Sequence, residues 1–253
     1  MSNLNISKPV DGVTVIEIDA PPANALGHEI RSRMIEAFEL IDLDYTTRAV
    51  VLTGTGKSFC AGDDLKEARQ RGETGSKSLG QFGKMLNKLE GLRVPVIGAI
   101  NGHAIGGGLE LALCCDIRIA STKAWLLGAG VNVGLMASVY RLPRLIGIGP
   151  AKSMLLTGGR VNAAEALRFG LVTAIHEPDA LMAEALKLAA RIATRAPLSV
   201  EASKRMISQA FDLDPAGSDR ASGQELKVLS RSKDHKAALM AFANKEEPKF
   251  SRQ

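Results

Sequence analysis

The chain has 253 residues, 45% apolar and 23% charged, with 25 glycines and a formal net charge of +5. That balance suits a folded α/β, all-α or all-β protein and excludes a disordered tail, a collagen-like repeat and a small disulfide scaffold. The basic residues are scattered and aromatic side chains make up only 4% of the chain, so no nucleic-acid partner is expected, although a small phosphorylated ligand would need only a few of these cations.

Residues 13–19 alternate apolar and polar with period two and predict a strand, which Pro21 and Pro22 stop. Ile30, Met34, Phe38 and Ile41 then recur at helical spacing and predict an amphipathic helix over 28–43. A short buried strand is expected at 48–54, and segments 94–100 and 117–120 have the same character, with a helix between them. The polar stretch 69–80 reads as a mobile loop. Short strands alternating with helices indicate an α/β architecture. From Gly149 onward the patterns are almost all helical, apart from one short strand at 171–175. Leu181, Ala185, Leu188 and Ile192 mark one helix, and Pro197 opens another, as proline does at a first turn. Two more helices are expected over about 219–243, with more apolar residues than a lone terminal helix buries, which points to packing against another subunit.

No apolar run approaches the roughly 20 residues needed to cross a bilayer, so no membrane partner is expected. The N-terminal residues resemble neither a signal nor a transit peptide, and a cytoplasmic location is the expectation. Cys60, Cys114 and Cys115 are odd in number and lack metal-ligand spacing. They read as buried free thiols, with no metal site.

Thr53-Gly54-Thr55-Gly56-Lys57-Ser58 ends like a phosphate-binding loop. The position that needs its first glycine is Val51, inside the expected strand, so the backbone cradle is excluded. More informative is the run Asn101 to Asp116, with glycines at 106, 107 and 108. Consecutive glycines lose much backbone freedom on folding and occur where the chain turns tightly or approaches something closely. The N–H groups that open a helix also point outward with the positive dipole end, an arrangement that stabilises a developing oxyanion. A plain strand-to-helix turn fits the spacing equally well. Glu110 lies one helical turn beyond Gly107 among apolar neighbours. It is either an ordinary acid of a first helical turn or a desolvated acid/base. The small residues around Asp63 form a second turn of the same kind, with Asp63 or Asp64 as N-cap. Two such turns can offer one N–H apiece to a common oxygen.

Taken together, these motifs resemble the enoyl-CoA hydratase/isomerase family, the crotonase superfamily. The residues that carry the likeness are Asn24-Ala-Leu26, Phe59-Cys-Ala-Gly-Asp-Asp-Leu65, Pro95-Val-Ile-Gly-Ala-Ile-Asn-Gly102 and Gly106-Gly-Gly-Leu-Glu-Leu-Ala112 with Cys115-Asp116. Further along come Arg141-Leu-Pro-Arg-Leu-Ile-Gly147, Leu156-Thr-Gly158, Ala163-Ala-Glu-Ala166 and Gly170-Leu-Val172, so the likeness spans nearly the whole chain. It implies an α/β fold, a crotonase-type spiral of ββα repeats with a helical C-terminal trimerisation region. Residues 1–195 would form the core with the acyl-CoA site, and 196–253 the helical region that assembles a homotrimer or hexamer. The implied substrate is an acyl-CoA thioester, with coenzyme A as part of it and no other cofactor. Its thioester oxygen would lie between the backbone N–H groups of Asp63 and Gly107, with Glu110 as acid/base. The CoA ester would run along Phe59, Ala61, Asp63, Leu65 and Gly106, and Lys245 and Lys249 would meet its phosphates.

In one place the chain departs from that pattern. Typical hydratases of the family carry two glutamates, and where the second belongs this chain has Gly130. The following segment, 134–143, is also shortened. One carboxylate is enough to move a double bond between carbons. Hydration would need help from a group such as Asp63, His103, Asn132 or Tyr140. A non-catalytic acyl-CoA binder, or a thioester hydrolase or decarboxylase on the same scaffold, remain the alternatives.

Overall fold

The computed structural model describes residues 2–70 and 75–253. A hairpin of β1 (Asn3–Val10) and β2 (Val13–Asp19) leads through β3 (Ala25–Leu26) into α1 (His28–Leu43). Next come β4 (Ala49–Gly54), β5 (Ser58–Cys60), β6 (Gly62–Asp63), α2 (Leu65–Gln70) and α3 (Gly75–Glu90). The glycine-rich region holds β7 (Val96–Ile100), β8 (His103–Ile105) and α4 (Gly107–Leu113), followed by β9 (Ile117–Ser121) and β10 (Trp125–Leu127). A 3-10 turn at Gly130–Val133 precedes α5 (Arg141–Ile146), α6 (Ile148–Thr157), β11 (Arg160–Asn162), α7 (Ala163–Arg168) and β12 (Ala174–His176). The chain ends in α8 (Leu181–Ala193), α9 (Pro197–Ser208), α10 (Pro215–Leu229) and α11 (Lys233–Asn244).

β1-β2-β4-β7-β9-β12 form one sheet, parallel except for the β1–β2 hairpin, and β11-β10-β8-β5 form a second. The short β3 and β6 pair with each other. Parallel strands need cover on both faces, and the period-two alternation of β2 supplies two apolar sets. Ile16 and Ile18 join Met34 and Phe38 of α1, Met85 and Leu89 of α3 and Leu109 of α4 in one core. Val13 and Val15 face the other way, against Leu181, Ala185 and Ala189 of α8.

The expected elements at 13–19, 28–43, 48–54, 94–100 and 117–120 are present, with ends moved by a residue or two. The loop expected over 69–80 is a correction. Helix α2 runs to Gln70 and α3 begins at Gly75, while residues 71–74 lie outside the described residues. Among the described residues the apolar stripe of α3 runs from Phe82 through Met85, Leu86 and Leu89, and the glycines and serines before it obscure the helical periodicity of its first turns. The strand expected at 171–175 begins later, at Ala174. The Leu171 N–H instead closes a turn onto the Ala166 carbonyl at 2.8 Å. Pro197 does open α9.

Helix α1 has no basic residue in its last turn. Arg93, far along the chain, supplies that cation. Its guanidinium donates to the carbonyls of Ile41 (3.3 Å), Asp42 (3.2 Å), Asp44 (2.6 Å) and Thr47 (3.1 Å), and its Nη1 donates to Glu201 of α9 at 2.8 Å. Carbonyls at a helix end have no partner inside the helix, so one side chain satisfies several of them. No helix among the described residues is long and apolar enough to cross a membrane.

Candidate active site

The parallel neighbours β5 and β8 pair Ser58 with His103 and Cys60 with Ala104, so the two turns that leave them emerge side by side. Their backbones touch. A Cβ on Gly62 would lie 2.7 Å from the Gly107 nitrogen, and one on Gly108 would overlap the Cys60 carbonyl. Gly106 takes φ +53 as the N-cap of α4, with its N–H on the Leu127 carbonyl at 2.8 Å. The glycine run expected to serve a close approach does so, and the thing approached is the other turn. Phe82 of α3 leans over this junction, 2.6 Å from where a Gly107 Cβ would be.

Each residue named from the sequence has a definite place. Phe59 is wholly buried in β5, and the Ala61 N–H donates to the Ala23 carbonyl at 3.0 Å. Asp63 ends β6 with its carboxylate 3.6 Å from the buried Arg31 guanidinium. Leu65 is the first residue of α2, which Asp64 caps through the N–H groups of Lys66 and Glu67. Gly107 is the first residue of α4, and its N–H is one that a helix ladder leaves unpaired. Lys245 and Lys249 lie beyond α11.

Glu110 sits in the first turn of α4 with 12% of its side chain exposed. The backbone N–H of Ser138 donates to its Oε1, and Arg141 Nη1 lies 3.5 Å from its Oε2. Arg141 is also held at 2.7 Å by Glu90. Burial pulls the Arg141 guanidinium pKa down, but the hydrogen bonds and charge of Glu90, with the charge of Glu110, oppose this, and the net shift is upward. Its charge is therefore secure. Ser138 takes φ +60, unusual for a residue with a side chain, and its buried hydroxyl has no hydrogen-bond partner.

The four side chains considered as helpers are engaged elsewhere. Asp63 faces Arg31. The His103 ring stacks at 4.4 Å on Trp125, and burial, with the Arg160 charge, lowers its pKa. Asn132 Nδ2 donates to the Gly158 carbonyl at 3.1 Å, and the Tyr140 ring lies 4.7 Å from the Arg144 guanidinium. Gly130 is closely surrounded as well. A Cβ on Gly130 would lie 2.9 Å from both the Ala137 nitrogen and the Leu135 oxygen. What surrounds Glu110, namely Ser138, Arg141 and Glu90, escaped the sequence reading. Arg141 was visible only as part of an Arg-Leu-Pro-Arg motif, and Ser138 carries no local signal at all.

Residues 9–253 match the model of the enoyl-CoA hydratase/isomerase family. The chain belongs to this family. It is 38% identical over 240 residues to a short-chain-enoyl-CoA hydratase of Clostridium acetobutylicum, covering 92% of each protein. It is 37% identical over 243 residues to an (E)-benzylidenesuccinyl-CoA hydratase of Thauera aromatica, covering 94% of this chain and 95% of that one. The fold matches the crystal structure of an enoyl-CoA hydratase from Bacillus anthracis with a TM-score of 0.97 at 33% identity, over 99% of this chain and 100% of the other. The α/β crotonase fold inferred from the motifs is therefore the fold of this enoyl-CoA hydratase/isomerase family member.

Proposed function

We propose that this chain acts on an enoyl-CoA thioester, with Glu110 as the one carboxylate that moves a proton, and that it shifts a double bond between carbons. The observation that carries this reading is the closure at Gly130, where the backbone of residues 135–137 fills the space a second acid would need. The contact between the Gly62 and Gly107 turns supports an oxyanion site made of the Asp63 and Gly107 N–H groups. Such dipoles act on charge that develops only as the reaction proceeds.

In this mechanism the thioester oxygen of a 3-enoyl-CoA takes up negative charge as Glu110 removes a proton from C2. A C2–C3 double bond forms, the electrons of the C3–C4 double bond take a proton from Glu110 at C4, and the carboxylate is restored. No water and no cofactor beyond the CoA of the substrate take part. The CoA moiety runs along Ala61, Asp63, Leu65 and Gly106, with Lys245 and Lys249 toward its phosphates, while Phe59, expected beside it, is wholly buried behind them. Hydration is the second reading, favoured by the names of the relatives in Clostridium and Thauera.

The ultraviolet absorbance of the conjugated thioester separates the two. The expected result is a gain of absorbance with a 3-enoyl-CoA, lost by at least about 10²-fold in Glu110→Gln while ester binding persists. Loss of absorbance with a 2-enoyl-CoA in its place would establish hydration. Release of free CoA thiol would establish hydrolysis.

A further inference from the structure

We infer that Arg141, anchored on Glu90, is a positioning residue that aims the Glu110 carboxylate. This rests on the reading of Glu110 given above and extends it to the segment that replaced the second acid.

A glutamate side chain has three rotatable bonds, and a helix backbone restricts only the first of them. The fixing comes from outside the helix. The Ser138 N–H takes Oε1, and Arg141 Nη1 stands 3.5 Å from Oε2, so the two oxygens are held by different groups. Arg141 is itself set by three contacts to Glu90, from Nε at 3.2 and 3.3 Å and from Nη2 at 2.7 Å. A guanidinium is a rigid planar fork. With Nε and Nη2 occupied, the remaining Nη1 has a fixed direction, and that direction is toward Glu110. An ionised carboxylate offers about four lone-pair sites, so the two contacts leave others for a substrate C–H.

The same short segment does two things. Its residues 135–137 close the space beside Gly130, and its next residues, Ser138 and Arg141, grip Glu110. The left-handed backbone of Ser138, which only a well-determined surrounding keeps in place, turns its N–H inward. A lone carboxylate that must take a proton at one carbon and return it at another needs a fixed orientation more than one that shares the work.

The test uses the full-length protein and whichever enoyl-CoA it turns over, with butyryl-CoA as an unreactive probe of binding. In Arg141→Gln, kcat should fall by about 10-fold or more, while KM and butyryl-CoA affinity stay within about twofold. Arg141→Lys should recover part of kcat, and guanidinium ion at sub-denaturing concentration should restore part of it to Arg141→Ala but none to Glu110→Gln. Glu90→Gln, a milder change at a half-exposed side chain, should lower kcat in the same direction, and it serves if Arg141→Gln does not fold. Unchanged kcat in a folded Arg141→Gln or Glu90→Gln, or parallel loss of kcat and binding without guanidinium rescue, would overturn the inference. If Glu110→Gln itself keeps full turnover, or no enoyl-CoA is turned over, the proposed function falls first and this inference with it.

Discussion

A methyl group added at position 108 has nowhere to go, because it would occupy the place of the Cys60 carbonyl oxygen. Backbone on both sides makes the clash hard to relieve, and overpacking of this kind costs about 1–3 kcal/mol or more. Gly108→Ala should therefore lower the melting temperature and activity together, unlike Glu110→Gln, which should leave the melt nearly unchanged. Position 130 yields a sharper expectation. Gly130→Glu adds a carboxylate where the backbone of residues 135–137 leaves it no room, so it should destabilise the protein without creating hydration of a 2-enoyl-CoA. A hydration rate raised tenfold would show that residues 135–137 give way. The thiols offer a third measurement. Burial pushes Cys60 and Cys115 up to about 12, so Ellman's reagent at pH 8 should modify them only after denaturation. At this scale the sequence was informative wherever chemistry is concentrated in one short run. The glycines before Glu110 pointed to a tight turn or a close approach, because three in a row lose much backbone freedom on folding, and the contact with the Gly62 turn is the second of these. The grip on Glu110 was invisible, because Ser138 and Arg141 lie about thirty residues away and act through a backbone N–H and a fork aimed by folding.

Among the elements, α9 is tied to the rest of the molecule by Lys204, which donates to Asp116 at 2.8 Å and to the Val94 carbonyl at 3.0 Å, and by the carboxylate of Glu201. Glu201, only 5% exposed, accepts from Arg93 at 2.8 Å and from Arg252 of the C-terminal tail at 2.9 Å on each oxygen. Burial alone would raise its pKa, but the hydrogen bonds from Arg252 and Arg93 prevail and hold it below the ordinary 4.5. The sign of the pH dependence follows. This contribution to stability is fully present above pH 4.5 and is lost as pH falls through the lowered value. In Glu201→Gln, the acid limb of a stability profile should flatten below pH 4.5. Its loss at neutral pH should be about 2–3 kcal/mol, less than for a fully buried pair because Arg252 is partly exposed. A chemical denaturation series from pH 7 to 3 measures both. Pro197, as a first-turn residue, revealed α9, but a long-range pair between residues 201 and 252 leaves no trace in local pattern. The first turns of α3 were missed for a related reason, since glycines and serines there mask the helical pattern.

For the whole molecule, the legible part was the alternation of strand and helix and the family motifs, which led to the crotonase fold. The division between two sheets was not legible, because β5, β8, β10 and β11 are three residues long each and too short for a period to register. The C-terminal helices and the turn after α9 leave Ile207, Phe211, Leu226, Met240 and Phe242 exposed, apolar surface of the kind that packing against further copies of this chain would cover. Analytical ultracentrifugation should find three or six copies, and Phe242→Glu with Met240→Glu should shift the mass toward the monomer. Arg93 carries one more consequence. The same guanidinium that closes the end of α1 also holds Glu201 of α9, which in turn holds Arg252 of the tail, so the end of α1, α9 and the tail share one line of contacts. Loosening of the tail and of the first helix should therefore be coupled. Heating should show a single calorimetric peak, and in Arg93→Ala that peak should divide, as two parts of the chain that once melted in concert begin to melt in turn.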